Sequence, residues 1–259
     1  MSAPDRSADS RSRRVLVTRE EASARRTASL LAERGHTAVV APLTDIQALH
    51  DGLLKLGRAL EASPRGLIAV TSAAALEAVL AAAQREVLPF ASLTKRRYGV
   101  VGGRAASLCE ANGFRLLVPP AETVDALIAT LAPLSADQWH KALYACARDR
   151  TASLERAYPA LRAIEVYEAI ARSGLDDDVV RLLRREPVDT ALAYSARSAR
   201  LALDALRKAG LDTLLSNLRW VCLSPAVEAE LRADGVSAGY TRTSEKPNEN
   251  SLLNAIDEF

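Results

Sequence analysis

The chain has 259 residues, room for two domains of ordinary size, with 49% hydrophobic, 25% charged and only 4% aromatic residues. That balance belongs to a folded globular protein with aliphatic cores and excludes a disordered or fibrous chain. A net charge of +2, from 34 basic and 32 acidic residues, lacks the clustered excess of Lys and Arg that a nucleic-acid surface needs.

Residues 1–13 are rich in Ser, Asp and Arg without an apolar run, so they predict a disordered tail and no secretory signal. Val15 to Thr18 reads as a strand, Ala22 to Arg34 as a helix stopped by Gly35, and Thr37 to Ala41 as a strand ended by Pro42. Leu67 to Thr71 is a strand leading into a helix through Ala83. This most apolar stretch is broken by Thr71, Ser72 and Glu77, which rules out a membrane span. Next come a strand at Tyr98 to Val101, a helix to Asn112 with Gly113 as its stop, and a strand at Leu116 to Val118. Further strands are expected at Ala142 to Cys146, Ile164 to Tyr167, Thr190 to Tyr194, Trp220 to Leu223 and Ala238 to Thr241. Short apolar strands alternating with helices indicate βαβ units and parallel sheets.

The chain also repeats itself. Val70-Thr71-Ser72-Ala73 resembles Ala193-Tyr194-Ser195-Ala196, with the two serines 123 residues apart. Val101-Gly102-Gly103 through Gly113 resembles Leu223-Ser224-Pro225 through Gly235, at a spacing of 122. Leu143 to Cys146, followed by Arg148, loosely echoes Val15 to Arg19. Two similar α/β domains explain these spacings.

Cys109, Cys146 and Cys222 are odd in number, scattered and set in apolar segments, as expected of buried thiols in a reducing compartment. His36, His50 and His140 have no metal-like or catalytic spacing to them, so neither a metal nor a Ser/His/Asp set is expected. Ligands of open parallel sheets sit at the carboxyl ends of strands. There the sequence places Thr18-Arg19, Thr71-Ser72, Gly102-Gly103-Arg104, Arg148, Ser195 and Ser224-Pro225. Singly, each Ser or Thr reads as a helix cap. Together they gather helix N-termini, which offer N–H donors and partial positive charge to carboxylates or phosphates. No G-x-G-x-x-G or G-x-x-x-x-G-K-[ST] loop supports a nucleotide.

Several segments, in order, carry a family resemblance: Arg14 to Pro42, Leu67 to Leu76, Tyr98 to Phe114, Ile164 to Tyr167, Tyr194 to Ala196, Cys222 to Gly235 and Pro247 to Asp257. Together they resemble the uroporphyrinogen-III synthases. The resemblance implies two similar flavodoxin-like parallel-sheet domains with exchanged segments, residues 14–42 plus 169–259 and residues 49–162. A two-stranded antiparallel linker at 43–48 and 163–168 would join them, and the substrate would bind in the cleft between them. It implies a cytoplasmic, monomeric lyase without a cofactor, touching neither nucleic acid nor membrane and meeting the preceding pathway enzyme at most transiently. The implied substrate, hydroxymethylbilane, carries an acetate and a propionate on each pyrrole. It loses water, forms a spiro intermediate and closes with ring D inverted.

Carried over residue by residue, the resemblance makes Tyr167 the acid. It assigns substrate contacts to Thr18, Arg19, Thr71, Ser72, Ala73, Gly102, Gly103, Arg104, Arg148, Ser195, Ala196, Ser224, Pro225 and Ala226. The family's turn threonines are absent, with Ala105 and Val227 in their places, so hydroxyl contacts there are not expected. Tyr194 is a large group where the family has a small one. Two other readings stay open. One is a non-catalytic tetrapyrrole- or anion-binding module of the same fold. The other is a nucleotide-dependent two-domain enzyme, disfavoured by the missing phosphate loops.

Overall fold

A computed structural model describes residues 12–63, 65–134, 141–150 and 152–259. Most of the expected tail, residues 1–11, and His140 lie outside them. Arg13, near the start, is held: its side chain donates to the Phe259 carbonyl at 2.6 Å and its amide to His36 Nδ1 at 3.3 Å.

The strands are, in chain order, β1 Arg14–Val17, β2 Thr37–Val40, β3 Thr44–Ala48, β4 Leu67–Val70, β5 Arg97–Val100 and β6 Arg115–Leu116. They continue with β7 Leu143–Ala147, β8 Arg162–Ala171, β9 Thr190–Ala193, β10 Arg219–Cys222 and β11 Thr241–Thr243. The chain divides into two compact units. One joins the described residues up to Asp45 with Ala171–Phe259, and the other is Ile46–Ile170. The first unit's sheet runs β11-β10-β9-β1-β2, all parallel. The second sheet runs β3-β8-β7-β4-β5-β6, parallel from β8 to β6.

The two sheets share one order. Setting β9, β10 and β11 on β4, β5 and β6 lays β1 and β2 on β7 and β8. The first residues of β4 and β9, Leu67 and Thr190, are 123 apart, and those of β5 and β10, Arg97 and Arg219, are 122 apart. The repeat in the sequence is thus a repeat of βα units. The start of the chain supplies to the first sheet what residues 143–171 supply to the second.

Both sheets are covered on both faces, which is why their strands read as unbroken apolar runs. In β4, Ile68 and Val70 point into one cluster with Leu56, Leu76 and Tyr98, whereas Leu67 and Ala69 point into another with Leu127, Leu131 and Tyr144. In the first unit, Leu16 and Trp220 pack with Leu203 and Leu231, while Val15, Val17 and Val221 pack with Leu31, Leu252 and Ile256. Burying one such leucine contributes about 2 kcal/mol.

Two departures from the sequence reading are local. The strand expected at Ala238 to Thr241 is a 3₁₀ turn over Ala238–Tyr240, and pairing starts only at Thr241, opposite Trp220. Ala238 and Gly239 are exposed, so nothing is buried there that would hold a strand. The helix His50–Ala62 has no start signal, because Leu49 makes no side-chain cap and Gly52 and Gly57 interrupt the pattern. No helix among the described residues is long and apolar enough to cross a membrane.

Cys109, Cys146 and Cys222 are buried and free. Burial pushes their thiols up, to about 11 for Cys109 and about 12 for Cys146 and Cys222. A raised value keeps each thiol protonated at mildly alkaline pH, so little nucleophilic thiolate forms. A thiol reagent is therefore expected to leave the native chain unlabelled and to label all three cysteines after denaturation. Rapid labelling of the native chain would show one of them to be accessible.

Candidate functional site

In the second unit, the carboxyl ends of β4, β5 and β7, with mid-β8 alongside, carry Thr71, Ser72, Ala73, Gly102, Gly103, Arg104, Arg148 and Tyr167. In the first unit, the carboxyl ends of β1, β9 and β10 carry Thr18, Arg19, Ser195, Ala196, Ser224, Pro225 and Ala226. Each unit therefore gathers its own predicted turns on one sheet edge.

Within each unit the two turns differ in a regular way. Ser72 caps the helix Ala73–Gln84 by accepting from the Ala74 amide at 3.2 Å. Ser195 caps Ala196–Lys208 in a capping box with Ser198. These serines satisfy their own helices. The next turn in each unit is uncapped: Gly102 has no side chain to offer, and Ser224 makes no cap hydrogen bond. The helices Gly103–Ala111 and Pro225–Ala233 therefore start with backbone N–H donors that their own caps leave unmet, and these suit a carboxylate. Gly102 reaches this turn with φ +87°, a left-handed conformation costly for residues with a Cβ. Ala105 and Val227, the positions without threonine, are 1% and 4% exposed and belong to the cores. They anchor the helix starts instead of facing a ligand.

Two tyrosines flank the Thr71-Ser72 turn. The Tyr144 hydroxyl lies 2.6 Å from Thr71 Oγ1, and the Tyr167 hydroxyl is on the Ser72 side. A register shift in the β7–β8 pairing sets Tyr167 opposite Ala147, the last residue of β7, and the Tyr167 carbonyl accepts from the Arg148 amide at 2.9 Å. Burial raises the Tyr167 hydroxyl above its ordinary value, with the Ser72 side chain acting the other way. Burial likewise pushes Tyr144 up to about 12, opposed by its bond to Thr71. Both hydroxyls keep their protons at neutral pH. Tyr144 was not anticipated. Its signal was its place in the strand ending beside the Thr71 turn, which only the β4–β7 pairing reveals.

The three arginines all have carboxylate partners. Arg104 pairs with Glu77, Arg148 with Glu168 and Glu165, and Arg19 with Glu249 at 3.0 Å. Arg19 also covers the Tyr194 ring at 4.1 Å, and Glu249 accepts from Thr27 at 2.6 Å and from the Tyr194 hydroxyl at 3.1 Å. Tyr194, expected as a bulky group beside a ligand, is thus built into a network of its own unit. Glu77 had a visible signal as the charge that interrupts the apolar run. Glu249 had none.

Because each guanidinium is already paired, single replacements at Arg19, Arg104 or Arg148 by Ala are expected to lower turnover by less than about tenfold, or about 1.4 kcal/mol. Arg104 and Glu77 are 42% and 36% exposed, and such pairs contribute little to stability. Collapse of activity in one variant would reveal an arginine clamp on the substrate.

A family model described as "Uroporphyrinogen-III synthase HemD" matches residues 25–254. The fold is similar to a crystal structure of a mutant uroporphyrinogen III synthase from Thermus thermophilus, at 17% identity and a TM-score of 0.54, covering 95% of this chain and 98% of that one. It is also similar to uroporphyrinogen-III synthetase from Helicobacter pylori, at 14% identity and a TM-score of 0.60, covering 94% and 98%. No curated protein matches the chain by sequence. Those two likenesses concern the fold, whereas the family model spans both compact units, and by that match the chain belongs to the uroporphyrinogen-III synthase family.

Proposed function

We propose that this chain cyclises hydroxymethylbilane to uroporphyrinogen III, releasing one water and inverting ring D. The observation that carries this reading is the family match across residues 25–254. The uncapped helix starts at Gly103 and Pro225 support it, because the substrate is a polycarboxylate and the free N–H groups there, such as those of Gly103 and Ala226, can donate to a carboxylate.

In this reading Tyr167 donates its proton to the departing hydroxyl while the C–O bond breaks, so that water leaves, the tetrapyrrole carries an azafulvenium cation and Tyr167 is left as a tyrosinate. Ring D then joins that carbon through its substituted position, giving the spiro intermediate; the bond from ring D to the carbon bridging it to ring C breaks, that carbon rebonds at the free position of ring D, and the proton released there returns to Tyr167. Tyr144 and Ser72 keep the turn and the acid in place. The remaining donors hold the chain curled, so that the work is positioning plus one proton given at the start and taken back at closure. We read the enzyme as a monomeric cytoplasmic lyase of two flavodoxin-like domains, residues 14–42 with 169–259 and residues 49–162, with linker strands at 43–48 and 163–168.

The reading is tested by following hydroxymethylbilane consumption by the purified chain with chelator present and no nucleotide or flavin added. Acceleration over the spontaneous rate is expected. Loss of acceleration on chelation, or none at all, would contradict it.

A further inference from the structure

The amino ends of three neighbouring strands, β7, β4 and β5, form a second polar edge on the second unit. It lies opposite the carboxyl ends that carry Thr71, Ser72, Gly102 and Arg148. Arg65, Lys95, Arg97 and Lys141 line a cavity of about 380 Å³ there, together with Leu67, Leu117 and Leu134. Among the described residues the lining contains no acidic one. All four cations are exposed, and among the described residues none has an ion-pair partner. This contrasts with Arg19, Arg104 and Arg148, each matched by a glutamate.

A fifth cation lies close by. Arg96, 1% exposed, donates to the carbonyls of Leu67 at 3.3 Å, Lys141 at 3.0 Å and Ser63. Its Nε has no partner. Ordinary surfaces intersperse the two signs of charge, and like charges held together repel. Gathering five cations without an acid among the described residues therefore costs the fold stability, and an anion would offset that cost. The leucines add an apolar patch that a bare inorganic ion would not use.

We infer that this pocket binds a small ligand carrying several acid groups on an apolar body. The acid groups meet Arg65, Lys95, Arg97 and Lys141, and the body rests on the leucines. The inference does not depend on the synthase reading, because the pocket is at the other edge of the sheet.

The test is calorimetric titration of the intact chain with three probes: ATP, benzenehexacarboxylate and tripolyphosphate. ATP or benzenehexacarboxylate is expected to bind several-fold more tightly than tripolyphosphate, and the better of the two tells a phosphate source from a carboxylate one. The double variant Lys95→Glu/Arg97→Glu, altered only at exposed positions, is expected to weaken that binding about tenfold or more. Its turnover is expected to stay at the wild-type value and its melting temperature not to fall, because the repulsion among the cations is relieved, and Arg148→Ala is expected to bind the probes normally. No binding, tripolyphosphate equal to both other probes, or binding untouched in the double variant would overturn the inference.

Discussion

Replacing Tyr167 by Phe is expected to lower turnover on the order of 10²-fold, the lower end of what a positioned general acid contributes. The ring is 8% exposed and belongs to a core that includes Val70, Val100 and Ile164, and Phe preserves that packing. What is lost is a single hydroxyl on the Ser72 side. Even a whole hydrogen bond is worth only about 1 kcal/mol of stability, so the variant stays folded. Substrate binding should change far less than turnover, because proton donation belongs to the transition state. Because burial raises this hydroxyl's value, the proton is retained to higher pH than in a free tyrosine. Wild-type turnover should therefore show no alkaline fall from Tyr167 where free tyrosine begins to ionise. Single-turnover kinetics with Tyr144→Phe as a comparison measures this. Tyr144 touches Thr71 and is a positioning residue, so its variant should lose less. Equal losses in the two variants, or no loss in Tyr167→Phe, would remove Tyr167 from the role of acid.

The largest expected effect on stability comes from Gly52→Ala. Gly52 lies in the first turn of the helix His50–Ala62, where a Cβ would collide with the Glu165 backbone oxygen. That oxygen belongs to β8, which is paired with both β3 and β7 and cannot give way as a side-chain tip would. The helix start must move instead, straining the Leu49 amide bond to the Val166 carbonyl, now 2.9 Å, and the packing of Leu53 and Leu56. In an open helix Gly→Ala gains about 1 kcal/mol from propensity. Here overpacking outweighs that gain, for a net loss of about 3 kcal/mol. At this size that corresponds to a melting temperature lower by roughly 6–12 °C. Gly57, in the same helix, is the control. Its added Cβ would meet a Leu88 methyl at 3.3 Å, and that side chain can shift. Thermal unfolding of both variants decides the matter. If Gly52→Ala melts at or above the wild-type temperature, the close approach of helix and strand is wrong.

The sequence speaks differently of these two residues. A family resemblance names the position of Tyr167, and its role there is the proposal that the Phe variant tests. The serines at 72 and 195 could be found because capping chemistry and a constant spacing repeat them. Parallel sheets followed from strands such as Leu67–Val70, apolar at every position because both faces are covered. Gly52 gave no such signal. Its role is set by a strand more than a hundred residues later, and a lone glycine in a helical stretch reads only as a weak helix. The pairing of Arg19 with Glu249 was hidden for the same reason, since 230 residues separate the two. The failed strand at Ala238 to Thr241 shows the reverse error. Its residue types suited an edge strand, but exposure left nothing to stabilise pairing before Thr241.

The measurement that tests the account most directly is the isomer made from freshly prepared hydroxymethylbilane. Left alone, the linear tetrapyrrole closes without inverting ring D and gives the type I porphyrinogen, so any type III product reports the protein's own control of the closure. With the wild-type chain in catalytic amount and no added cofactor, chromatography of the oxidised products is expected to show type III as the main isomer. Tyr167→Phe at limiting amounts should move the mixture back toward type I, because spontaneous closure then competes. If the wild-type chain yields only type I, it is no synthase, and a binding module on the same fold becomes the better description.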